Sequence, residues 1–251
     1  MNSSKCIGMS EHEHKSHELI VHDLHVHYGK ICALHDLSFT ATCHRALALV
    51  GPNGGGKSTL LKAIAGLLPQ AKGEVIWRDK LVEENRWEIA YLPQREEVDW
   101  NFPITVGGLV EMGRYPHVGL MGRFTKADQE AVDAALEYVG MQDLRDRHIS
   151  QLSGGQQQRA FLARALAQQP HVFLLDEPFT GLDYEARERL HGLLKGLTDQ
   201  GSLLIASHHD LNTLDQGFDE VMVLNQRMLA HGPVADVADQ IEGLLEGAVM
   251  S

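Results

Sequence analysis

A chain of 251 residues with 43% hydrophobic side chains can bury a core as one large domain, or as a domain with an inserted lobe, which excludes disorder for most of it. The net charge is -12, and no stretch gathers Lys and Arg into the basic stripe that nucleic acid requires, so nucleic acid is excluded as a partner. No apolar run approaches the ~18 residues of a membrane-crossing helix, the start MNSSKCIGMSEHEH lacks a basic-then-apolar signal, and Cys6, Cys32 and Cys43 show no CxxC spacing. A cytosolic chain with reduced thiols is expected.

Residues 1–18 are polar, rich in His and Glu and without apolar periodicity, which predicts a mobile tail, with order starting near Leu19. LIVHDLHVHY, LSFTA and ALALV then read as strands, the last running into a Gly-rich turn and a helix from Lys57 to about Gly66. GEVIW and IAYLP are two further strands. From about Arg95 to Gln169 the pattern is helical, with Ala131, Ala135, Leu136 and Val139, then Phe161, Leu162, Ala165 and Leu166, at helical spacing. An inserted helical lobe over about 95–169 is predicted, inside a single domain spanning 19–251. Alternation resumes with VFLLDE, a helix from Tyr184 to about Leu197, SLLIAS, a helix near Leu211 and VMVLN, followed by a hairpin at Asn225–Arg227 and a short helical tail. Such alternation predicts an α/β fold on a largely parallel sheet.

GPNGGGKST, Gly51–Thr59, satisfies the P-loop pattern GxxxxGK[ST] and lies between an apolar strand and a helix, as its chemistry demands. Gly51, Pro52, Asn53, Gly54, Gly55 and Gly56 can turn backbone N–H groups around a polyphosphate. The helix N-terminus adds partial positive charge and Lys57 a full one. Ser58, followed by Thr59, is then the candidate Mg²⁺ ligand. VFLLDEP delivers Asp176 and Glu177 to the end of a buried strand, where ligands bind in open α/β sheets. Asp176 can hold the Mg²⁺ shell, and Glu177 can orient the attacking water or take its proton.

LSGGQQQR, Leu152–Arg159, carries LSGGQ intact and resembles the signature of ATP-binding-cassette (ABC) proteins. Ser153 also reads as a helix N-cap. Its neighbours Gly154, Gly155 and Gln156 complete a helix start that an anion can approach closely. The resemblance implies a P-loop-type mostly parallel sheet with an antiparallel β subdomain and a helical lobe, two ATP and Mg²⁺ enclosed in a head-to-tail homodimer, and hydrolysis of ATP. It covers Leu19 to about Pro233. Within it Tyr28 matches the aromatic that stacks on adenine, and Gln94, in YLPQRE, the glutamine that reaches Mg²⁺ or the lytic water. Asp183, in FTGLD, matches the aspartate that crosses the dimer interface, and is also placed as an N-cap. The family's switch histidine precedes an Asp, which matches His209 before Asp210; His208 is the competing assignment.

The segment Tyr91–Tyr115 resembles that of ATPases in manganese, zinc and iron importers. That likeness implies a place on the inner face of the cell membrane, held by integral permease subunits and served indirectly by an extracytoplasmic solute-binding protein. Importers of iron chelates, haem or cobalamin, and a soluble ATPase of iron–sulfur assembly, are the alternatives. His12, His14, His17, His22, His25 and His27 read either as a solvated polar tail or as a metal-binding tract.

Overall fold

The computed structural model describes residues 17–119 and 122–249. The expected tail falls largely outside them; the two of its residues that are described are His17 and Glu18, and Glu18 already opens the first strand. In chain order the strands are β1 Glu18–Tyr28, β2 Ile31–Thr42, β3 Ala46–Val50, β4 Lys72–Trp77, β5 Lys80–Leu81, β6 Ile89–Leu92, β7 Val172–Leu175, β8 Leu203–Ser207, β9 Glu220–Asn225 and β10 Arg227–Pro233. The helices are α1 Lys57–Ile64, α2 Val106–Glu111, α3 Tyr115–Val118, α4 Lys126–Tyr138, α5 Gly154–Ala167, α6 Tyr184–Asp199, α7 Val234–Val237 and α8 Ile241–Val249.

Two sheets result. The larger has the order β10-β9-β3-β8-β7-β6, parallel throughout except for the β9–β10 hairpin. The smaller, β2-β1-β4-β5, is antiparallel. Because parallel strands are covered on both faces, they read as unbroken apolar runs rather than as alternation. The pleat sorts each run. Leu47, Leu49, Val172, Leu174, Leu203, Ile205, Met222 and Leu224 enter one core with Leu60, Leu61 and Ile64 of α1 and the smaller sheet. The residues between them, Ala48, Phe173, Leu175, Leu204, Ala206, Val221 and Val223, enter the other core with α2, α4, α5 and α6.

Between β6 and β7 the described chain forms no strand, and α2, α4 and α5 pack on one another. A buried ion pair ties them together. Arg114 Nε bonds Asp128 Oδ1 at 3.0 Å, while its Nη1 donates to Ala167 O at 2.8 Å and to Gln169 Oε1 at 3.0 Å. Asp128 in turn closes a capping box with Thr125, which fixes where α4 begins.

Three elements differ from the sequence reading. β2 begins at Ile31, six residues before LSFTA, because the whole length of β1 offers it a partner across a tight turn at Gly29–Lys30. β5 was not predicted; Arg78 and Asp79, both with φ near +50 to +60, make the two-residue turn that lets it fold back. Leu211–Gln216 is a 3₁₀ turn capped by Asp210 rather than an α-helix. Among the described residues, no helix is long and apolar enough to cross a membrane.

Candidate functional site

The Gly-rich loop joins the C-terminal end of β3 to α1. Gly51 has φ 155, and a Cβ there would lie 1.9 Å from Leu224 O of the neighbouring strand, so the loop can sit this close to the sheet only with glycine. Lys57, buried at the head of α1, turns back so that Nζ donates to the carbonyls of Gly51 and Pro52, both at 2.9 Å. Burial pushes its pKa down, and the nearby carboxylates of Glu177 and Asp176 oppose that shift.

The next residue of α1, Ser58, lies opposite the end of β7. Gln94, just beyond β6, stands between them: its Nε2 lies 3.3 Å from Ser58 Oγ, 3.3 Å from Asp176 Oδ1 and 3.5 Å from Glu177 Oε1. Four residues separated by up to 119 positions in the sequence thus converge, because β6, β7 and the loop after β3 all end at one edge of the sheet. Glu177 holds a left-handed backbone, φ 47, which is costly for a residue with a Cβ.

Three residues that the sequence reading missed hold these carboxylates. Ser207, at the end of β8 and fully buried, donates to Asp176 Oδ1 at 2.8 Å and accepts from Glu177 N at 2.6 Å. Thr180 Oγ1 donates to Glu177 Oε2 at 3.0 Å, and Tyr91 OH reaches Asp176 Oδ2 at 3.4 Å. Burial, reinforced by Asp176, pushes the Tyr91 phenol well above its usual range, so it remains a donor. The available signal was positional: each stands within a few residues of a recognised site residue at a strand end.

The two histidines part company. His208 is buried, its Nε2 2.9 Å from Thr213 Oγ1 and its ring edge-on to Phe179 and packed at Phe218. Burial holds its pKa down at about 4. His209 is exposed, one residue further from the strand. Tyr28 is 44% exposed at the tip of the β1–β2 hairpin, a flat apolar face open to stacking.

The signature residues lie elsewhere. Ser153, Gly154, Gly155, Gln156 and Asp183 line a separate cleft of about 270 Å³, to which none of Gly51–Thr59 contributes. Ser153 caps α5 in a reciprocal box with Gln156, and Asp183 caps α6 by accepting from Ala186 N at 2.8 Å. One glycine has an internal reason absent from the sequence reading: a Cβ on Gly155 would meet Ala186 Cβ at 2.8 Å, so the starts of α5 and α6 approach this closely only with glycine.

Residues 34–180 match the family model described as ABC transporter. The manganese transport system ATP-binding protein MntB of Halalkalibacterium halodurans is 45% identical over 217 residues, 86% of this chain and 86% of that protein. The zinc transport system ATP-binding protein TroB of Treponema pallidum is 44% identical over 226 residues, 90% of this chain and 85% of that one. A solved ATP-binding cassette of an ABC transporter, in its ADP conformation, shares the fold with a TM-score of 0.77 at 22% identity, covering 93% of this chain and 98% of its own. With a loop built for phosphates, paired carboxylates beside it and relatives of this similarity across most of its length, the chain belongs to the ABC transporter family, as one of its ATPase subunits.

Proposed function

We propose that the chain binds MgATP across two copies of itself, hydrolyses it with Glu177 as general base, and energises import of a divalent transition metal through membrane-spanning partner subunits. The observation that carries the catalytic part is the position of Gln94, within 3.3 to 3.5 Å of Ser58, Asp176 and Glu177. The residues fit the nucleotide and its ion: the loop at Gly51 leaves no room for a side chain, the Ser58 hydroxyl and Asp176 carboxylate are the oxygens that Mg²⁺ prefers, and a turn of the Gln94 amide would add its own oxygen to them. Ser58, Asp176 and Gln94 would hold the ion, which supplies charge neutralisation between the phosphates when bound.

Lys57 would turn from the Gly51 and Pro52 carbonyls to the β- and γ-phosphates, and the N–H groups of the loop Gly51–Gly56, all but that of Pro52, which has none, would surround them with Thr59. Tyr28 stacks on the adenine. Glu177 orients the attacking water and takes its proton, held in place by Ser207 and Thr180, while His209 contacts the γ-phosphate from the accessible end of β8. The signature cleft shares no lining residue with the same chain's loop, which supports completion of the site by a second copy: Ser153, Gly154, Gly155 and Gln156 close on the partner's nucleotide, and Asp183 crosses with them. The segment 95–169, a helical subdomain carrying Gln94's neighbours, passes closure to the permease at the membrane's inner face. An extracytoplasmic binding protein delivers the cargo from the far side.

The cargo class rests on the relatives, which serve manganese and zinc transport. Steady-state ATP hydrolysis by the purified chain and by Glu177→Gln tests the chemistry: the substitution should leave nucleotide binding intact and reduce turnover by at least about 100-fold. Near-original turnover would remove Glu177 from its role. Cellular metal content after deletion of the gene tests the cargo, with a selective fall in manganese, zinc or iron expected and an unchanged metal profile counting against import.

A further inference from the structure

Outside the residues assigned to the nucleotide, the described residues gather one more set of metal-ligating atoms. His25 of β1 and His35 and Asp36 of β2 each offer one ligand atom, all within 4.8 Å of one another. His25 Nε2 lies 3.1 Å from Asp36 Oδ1, and His35 Nδ1 lies 3.0 Å from Asp36 Oδ2.

The sequence puts them there through a bulge. Leu24 pairs with Leu37 and Val26 with Leu34, so between these pairs one residue of β1, His25, opposes two of β2, His35 and Asp36. In a regular strand adjacent side chains point to opposite faces. The extra residue breaks that alternation, with Asp36 in a left-handed conformation at φ 51, and both side chains reach the same imidazole. The His25 and His35 rings meet edge to face at 5.2 Å.

Ordinary hydrogen bonding does not account for the cluster. His35 Nδ1 is buried and makes no hydrogen bond, although a carboxylate oxygen is 3.0 Å away; the distance is right and the direction is not. A buried polar atom without a partner is rare enough to require a reason, and an ion is one of the few available. Two imidazoles and a carboxylate make a donor set suited to first-row divalent cations and poorly suited to Mg²⁺ or Ca²⁺. Ligands at zinc distances in a tetrahedron stand about 3.3 Å apart; the two imidazoles lie 3.1 and 3.0 Å from the two oxygens of the Asp36 carboxylate, and the three ligand atoms fit within 4.8 Å. Binding at His25 Nε2 moves the ring proton to Nδ1 and gives up the long contact from Asp36 N, 3.4 Å, a weak bond to lose.

We infer that His25, His35 and Asp36 form a three-ligand site for a divalent transition metal of the zinc class, with water completing the coordination. It adjoins the phosphate loop: His35 N donates to Gln226 O, Gln226 N donates to Gly55 O, both at 2.8 Å, and the Leu34 side chain comes within 2.6 Å of where a Cβ on Gly56 would be. The site does not depend on which cargo the transporter carries.

The experiment uses the full chain with His12, His14 and His17 replaced by Asn, so that the N-terminal imidazoles do not contribute. Without nucleotide or Mg²⁺, it should take up Co²⁺ with the visible absorption of a low-coordinate nitrogen–oxygen site, and Zn²⁺ should displace that absorption. His35→Gln and Asp36→Asn, added singly, should each abolish the absorption and weaken Zn²⁺ binding by about tenfold or more while leaving MgATP binding intact. Should His35→Gln fail to fold, Asp36→Asn decides alone, since Asn tolerates the left-handed backbone. Equal Zn²⁺ and Co²⁺ uptake by the parent and the variants would overturn the site.

Discussion

Ser207→Ala removes one hydroxyl that ties Asp176 to the backbone of Glu177. Its oxygen donates to the ionised Asp176 at 2.8 Å and accepts from Glu177 N at 2.6 Å, with the serine itself 1% exposed. Loss of a hydrogen bond to a charged group costs about 1.5–3 kcal/mol, and a buried N–H left without a partner costs about 1–3 kcal/mol. Gln94 Nε2, 3.3 Å from the same Asp176 oxygen, can recover part of the first loss, so a net destabilisation of about 2–4 kcal/mol is expected. For a chain of this size that corresponds to a fall of about 4–16 °C in Tm. The same change releases the left-handed Glu177 backbone from its anchor, so kcat should fall while ATP affinity, set mainly by the loop and Lys57, changes little. Urea and thermal melts with parallel steady-state kinetics measure both. An alanine variant with unaltered Tm and kcat would refute the view that Ser207 positions the two carboxylates.

The histidine pair should separate stability from activity: His209→Ala should leave the melt unchanged and suppress hydrolysis, whereas His208→Ala should mainly destabilise. Because burial depresses the folded His208 pKa to about 4, below the ordinary value of about 6.5, the unfolded chain binds more protons between those pH values. Its stabilisation is therefore complete above about pH 6.5 and lost as pH falls toward 4, by about 3 kcal/mol in all, and His208→Asn should flatten that part of the pH–stability curve. Arg114→Ala strands the buried Asp128 and two acceptors and should cost about 3–5 kcal/mol in urea melts, whereas a surface pair such as Lys126–Glu130 should cost under about 1 kcal/mol.

The nucleotide loop was legible because its chemistry forces a spelling: glycine where a Cβ would strike Leu224 O, lysine at the helix head, serine after it. The parallel strands were legible because burial on both faces forces apolar runs such as ALALV and VFLL. Residues that work through position left no such mark. Ser207 is one serine at a strand end, and nothing local shows that β8 carries it between Asp176 and Glu177. The left-handed backbone at Glu177 and the primed turn at Arg78–Asp79 occur without the glycine or asparagine that usually announces them, so β5 went unread. The first half of β2, ICALHD, lacks alternation because its register slips twice, at Ala33 and at His35–Asp36. Gly155 was read for its approach to an anion, and its contact with Ala186 depends on where α6 starts, which no local pattern gives.

The account stands on one nucleotide being shared by two copies of the chain, because the signature cleft and the phosphate loop of one copy do not meet. Sedimentation of purified Glu177→Gln with MgATP measures this directly. The account predicts a stable species of twice the 27.8 kDa chain mass that dissociates when Lys57→Ala or Ser153→Arg is added. A monomer at every protein concentration, under conditions where ATP is shown to be bound, would contradict it.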